Sequence, residues 1–137
     1  MKPGKVCRLL RAALVALVAS PMPATAQTAA CAAASTQAEL NDCSAQRYRE
    51  ADARLNQVYS QLRARLRDPR QRSLLEEAER AWIAYRDREC AFETSGTVGG
   101  SLHPMMQATC LYEKTTIRLA ELTRQRNCKE ADPSCVH

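Results

Sequence analysis

The stretch TQAELNDCSAQRYREADARLNQVYSQLRARLR, Thr36 to Arg67, runs without a glycine or proline. Thr36 and Glu39 form a capping-box pattern at its start: the threonine caps and the glutamate three residues on reaches back. Leu40, Cys43, Ala51, Leu55, Val58, Tyr59, Leu62 and Leu66 then recur largely at three- and four-residue steps. Arg47, Arg49, Glu50, Arg54, Arg63 and Arg65 fill the other face. This periodicity predicts one long amphipathic helix. Asp68-Pro69 ends it and begins the next, because Asp is a natural N-cap and Pro fits the first helical position. A connection this tight predicts an antiparallel helix hairpin.

Leu74, Leu75, Ala78, Ala81, Trp82, Tyr85 and Phe92 read as the buried stripe of the second helix. Glu76, Glu77 and Glu79 occupy its early turns, where carboxylates complement the helix dipole. Gly96, Gly99 and Gly100 break the pattern, so a loop is expected from about Thr94 to Gly100. Ser101 is the expected cap of a third helix, with Pro104 tolerated in the first turn. Met105, Met106, Cys110, Ile117, Ala120 and Leu122 supply its apolar face. No stretch shows clean strand alternation. The fold class expected is all-α: a small disulfide-stapled helical bundle, made of a long antiparallel hairpin plus a third helix.

Residues 1–26 read as a signal peptide. Lys2, Lys5, Arg8 and Arg11 form a basic start, Ala12 to Ala19 an apolar run, and Ala24-Thr25-Ala26 a small-x-small cleavage pattern. The run is far shorter than the roughly 20 apolar residues of a spanning helix, and Pro21 and Pro23 end it. No stable membrane span is expected. Thr28 stands where a lipidation box needs an apolar residue before Cys31, and Leu9-Leu10 separates Arg8 from Arg11, so neither a lipid anchor nor a twin-arginine signal fits. The expected product is secreted or periplasmic and soluble after cleavage near Ala26. Residues 27–126 would form the helical domain and 127–137 an irregular C-terminal tail.

Cleavage also changes the charge. The whole chain carries +5, but four basic and no acidic residues precede Gln27, which leaves 16 Lys and Arg against 15 Asp and Glu. A net charge near +1 is no footprint for nucleic acid. Cys7 leaves with the signal. Cys31, Cys43, Cys90, Cys110, Cys128 and Cys135 remain, an even set that reads as a disulfide framework in a short exported chain. Close Cys-x-x-Cys or His pairs are absent, and His103 and His137 stand alone, so neither a metal site nor a cofactor is expected.

Equal rise on both arms of the hairpin, ~1.5 Å per residue, places position n near position 136 − n. Cys43 then falls within about a turn of Cys90, and Cys31 and Cys110 lie at the same end. Six cysteines allow fifteen connectivities, and the pairing among these four stays open. The tail pair, Cys128 with Cys135, would close a short loop. The same register brings Asp52 near Arg86, with Asn56 one turn from Asp52. The expected role of this polar cluster is to hold helix register, since a buried charge needs a partner. No nucleophile has a base in reach, which argues against an enzyme. A hydrolase built on Asp52 and Arg86 is the weakest alternative.

Taken in order, these landmarks carry a resemblance: Cys31, Ser35-Thr36 with Glu39, Cys43, Ala51-Asp52 with Leu55-Asn56 and Tyr59, Ala81-Trp82-Ile83 with Tyr85-Arg86-Asp87 and Cys90, Gly99-Gly100-Ser101, Cys110, and Arg118-Leu119. The chain resembles the lysozyme inhibitor LprI-like family from about Cys31 to Leu122. The resemblance implies a small exported helical domain that binds a muramidase without catalysis. Cys128 and Cys135 look like an addition to the family core. The alternative expectation is a cell-envelope interaction or structural module with another protein partner. Candidate partner-binding residues are Gly99, Gly100 and Ser101 in the loop, and Glu76 and Glu77 at the start of the second helix.

Overall fold

The computed structural model describes residues 31–129 and 135–136; the signal-peptide reading lies outside them, as does most of the tail beyond residue 129. Among the described residues three α-helices make up the architecture: α1 (Gln37–Arg65), α2 (Pro69–Glu93) and α3 (His103–Arg126), with a short 3-10 turn at Ser95–Thr97 before α3. The described residues contain no strand. None of the described helices is long and apolar enough to cross a membrane.

Local signals set the helix starts. Thr36 accepts from the Glu39 backbone N–H, and the Glu39 carboxylate accepts from the N–H of Thr36 and of Ser35, both at 2.9 Å. Those two bonds hold the Glu39 carboxyl below its ordinary value of 4.5. Asp68 caps α2, its carboxylate accepting from Arg70 N–H at 2.8 Å, and Pro69 occupies the first turn. Ser101 does not cap α3. The helix begins one residue later than a Ser101 cap allows, after Leu102, without a side-chain cap. The Ser101 carbonyl instead accepts from Asn41 Nδ2 at 3.1 Å.

The chain runs up, down and up. Gln37 meets Met105, Arg47 lies over Tyr112, and Arg126 bonds Gln61, so α1 and α3 are parallel. Arg86 meets Thr115 and Glu79 meets Arg118, so α2 is antiparallel to α3. The pairs Asp52–Arg86 and Arg63–Glu76 bridge the expected hairpin, two or three positions from the register that equal rise predicts.

The tightest packing, however, is between α1 and α3, not within the hairpin. Ala51 on α1 and Ala108 and Thr115 on α3 are buried and small, which lets backbones approach. The inward residues of α2 include Glu79, Trp82 and Arg86, whose length holds its backbone away. The core centres on Leu55, Val58, Leu62 and Leu122, with Tyr59, Leu75, Trp82 and Leu119 packed against it. The apolar stripe read for α1 is the stripe that is buried.

Two expected stripes are corrected. On α2 the inward line is Leu75, Glu79, Trp82, Arg86 and Cys90, whereas Leu74, Ala78, Ala81, Tyr85 and Phe92 are exposed. The two lines have nearly the same spacing and differ by one residue. The inward one prevails because its polar members find partners on α1 and α3 and Cys90 is bonded to Cys110. On α3, Met106, Ile117 and Ala120 are exposed, while Ala108, Cys110, Thr115 and Leu122 are buried.

The four cysteines left open by the sequence pair as Cys31–Cys43 and Cys90–Cys110, and Cys128 pairs with Cys135 as expected, with Cα separations of 5.4, 5.6 and 5.6 Å. The first pins the incoming chain to α1. The second ties α2 to α3 at the end where the glycine loop emerges.

Candidate functional site

The polar residues singled out in the sequence come together across three helices. Arg86 is 6% exposed. Its Nη1 donates to Asp52 Oδ1 at 3.2 Å and to Thr115 Oγ1 at 3.3 Å, and its Nε donates to Asp87 Oδ1 at 2.9 Å. Asn56 Nδ2 donates to the other oxygen of Asp52 at 2.9 Å. The guanidinium also lies over Trp82 at 5.0 Å and Tyr48 at 5.5 Å. Burial opposes the Arg86 charge, but the Asp87 and Asp52 carboxylates and Tyr48 more than offset it, and its pKa rises. Burial likewise pushes the Tyr48 hydroxyl up, against the nearby arginine. The Arg86 guanidinium and the Asn56 amide both find acceptors, and none of these groups is a nucleophile held beside a base. Through Asp52 and Thr115, Arg86 links α2 to α1 and to α3.

One turn along, a second ion pair has the same form. Arg118 donates to Glu79 at 3.0 Å and to Glu121 at 3.1 Å, and its guanidinium lies 5.8 Å from the Trp82 ring. Trp82 is therefore flanked by two arginines. The sequence marks Glu79 only as part of the acidic helix start and does not mark Thr115. Periodicity carries no signal for either, because each is buried through a residue on another helix.

The remaining candidates separate to opposite ends of the bundle. Glu76 and Glu77 sit near the Asp68 turn. Glu76 pairs with Arg63 at 2.6 Å, and Glu77 accepts from Ser73 Oγ at 2.9 Å. Gly99, Gly100 and Ser101 lie at the disulfide-tied end and are exposed. Their loop is held from within. Buried Thr94 donates to the Cys90 carbonyl at 2.7 Å. Thr97 Oγ1 donates to the Thr94 carbonyl at 2.8 Å and lies 2.9 Å from His103 Nδ1. Gly100 N–H returns to the Thr97 carbonyl at 3.0 Å. Gly99 adopts φ +83°, a left-handed conformation that favours glycine. The result is a short, internally braced loop that presents Val98, 70% exposed, beside backbone and hydroxyl groups. No Asp, Glu, Lys or Arg occurs from Thr94 to Tyr112. The described residues contain no cluster of His, Cys, Asp and Glu suited to a metal ion.

The family model for lysozyme inhibitor LprI matches residues 28–122, which span all three helices up to the last turn of α3 and include the loop. Two curated proteins are also similar. The uncharacterized protein R02472 of Rhizobium meliloti (strain 1021) is 37% identical over 124 residues, covering 80% of this chain and 89% of that protein. The uncharacterized protein YecT of Escherichia coli (strain K12) is 28% identical over 109 residues, covering 69% of this chain and 67% of that protein. No solved structure matches. With the helices, the loop and the first four paired cysteines falling inside the matched span, the chain belongs to the LprI lysozyme-inhibitor family.

Proposed function

We propose that this protein is exported and inhibits a muramidase by binding it, without chemistry of its own. The family match over residues 28–122 carries the reading. Three disulfides fit an oxidising compartment, and the basic, apolar and small-residue order of residues 1–26 supports export with cleavage near Ala26. Residues 27–126 would be the active unit.

The end of the bundle at Gly99, Gly100 and Ser101 is the surface proposed to make the contact. A muramidase cleft accepts a neutral, hydroxyl-rich glycan between two carboxylates. A projecting segment with no charge of its own meets no desolvation penalty for a buried ion there. Its braced hydrogen bonds also lower the ordering cost of association. Glu76 and Glu77 lie at the far end and are engaged within the protein, so they do not belong to the same contact.

The test is clearing of a cell-wall suspension by lysozyme with and without the purified protein. Slower clearing that saturates with protein concentration is expected. Val98→Asp should leave the helical circular dichroism intact and weaken inhibition, because it buries a charge in the contact. Unchanged clearing at large molar excess would exclude lysozyme as the target, and full inhibition by Val98→Asp would move the contact away from the loop.

A further inference from the structure

The outward face of α2 carries a seam that no other described residue covers. Leu74, Ala78, Ala81, Tyr85, Arg88 and Phe92 follow one another at alternating four- and three-residue steps, the spacing by which one helix packs along another. All six are exposed, and the three large apolar members strongly so: Leu74 at 65%, Tyr85 at 53% and Phe92 at 75%. Exposed apolar side chains grouped in this way mark an interaction surface.

The seam is complementary to itself when reversed. Antiparallel alignment about position 83 sets Ala81 against Tyr85 of a second copy, and Ala78 against Arg88. Tyr85 and Arg88 then each meet an alanine. Leu74 meets Phe92 at both ends of the contact and closes them with apolar area. Arg88 is the one charge in the line. Opposite it Ala78 leaves room, and the neighbouring Glu77 offers a carboxylate. A two-fold contact requires this reciprocity, in which residue i meets j and j meets i.

We propose that α2 pairs with α2 of a second copy of this chain, antiparallel, with the two-fold axis at the level of Ile83. The seam is about 27 Å long at helical rise and one helix wide, at the small end of stable interfaces. Association is therefore expected at micromolar concentration. It does not depend on the muramidase reading and is measured without one.

The experiment is sedimentation velocity of the disulfide-intact protein over a concentration series. The expected result is a reversible shift from one copy to two. Tyr85→Glu and Phe92→Glu should each weaken it by at least about ten-fold, equivalent to ~1.4 kcal/mol, with unchanged circular dichroism because both sites are exposed. Ala78 tests the register: Ala78→Arg sets a like charge against Arg88 of the second copy and should abolish pairing, whereas Ala78→Glu should preserve or tighten it. A monomer at every concentration overturns the proposal, as does a dimer indifferent to Tyr85→Glu. Equal loss in Ala78→Arg and Ala78→Glu overturns the antiparallel register, and association with only foreign helices or vesicles overturns the self-pairing.

Discussion

Arg86 and Asp52 share an ion pair, yet their truncations should not cost the same. Arg86→Ala removes a side chain that is 7% exposed, whereas the Asp52 side chain is 36% exposed. Without Arg86, the hydroxyl of fully buried Thr115 loses its guanidinium partner, a desolvation cost of ~1–3 kcal/mol. The cation over Trp82 and Tyr48 is lost as well, at roughly 0.5–1 kcal/mol each, and the vacated volume adds a cavity cost. The total is about 3–5 kcal/mol, the range for breaking a buried pair. Asp52→Ala leaves Arg86 bonded to Asp87 and Thr115, so its loss should be on the order of 1 kcal/mol, as for a partly exposed pair. Thermal unfolding monitored by circular dichroism, disulfides intact, should show Arg86→Ala falling by about 10 °C or more and Asp52→Ala by only a few degrees. The double variant should lose less than the sum, because the sites are coupled. Equal shifts for the two single variants would refute the asymmetry. If both melt like wild type but no longer inhibit a muramidase, the cluster is a binding site and not a fastening between helices.

The disulfide between α2 and α3 spans 20 residues, so replacing both Cys90 and Cys110 by Ala should lower stability by about 3 kcal/mol in urea titrations. A loss under ~1 kcal/mol would mean the helices need no tie. Because Glu39 titrates below its ordinary value of 4.5 in the folded chain, its capping contribution is complete above that value and is lost as pH falls through the lower folded value. Glu39→Gln should therefore make acid unfolding less steep below pH 4.5, and an identical acid limb in the two proteins would contradict this. Intact mass of the exported protein should begin at Gln27, and peptide mapping without reduction should find Cys31, Cys43, Cys90, Cys110, Cys128 and Cys135 all bonded. A retained leader, a lipid mass on Cys31 or a free thiol would contradict the compartment reading.

What the sequence determined by itself was local. Thr36 with Glu39, and Asp68 with Pro69, place two helix starts, because capping is an interaction among residues within one turn. The stripe of α1 was legible too, since one face of that helix is apolar and its other face is charged. The approach of Asp52 to Arg86 followed from counting along two helices joined by a tight turn. Tertiary structure decided the rest. Two lines on α2, one residue apart, have almost the same period, and hydrophobicity favours the line that ends up exposed. Only α1 and α3 break that tie: Arg118 and Asp52 stand opposite Glu79 and Arg86, and Cys110 opposite Cys90. Cysteine pairing has the same origin, for Cys43 and Cys90 share an end of the bundle but bond to different neighbours. Burial of a charge is a relation between helices, and no pattern within one of them records the partner that makes it affordable.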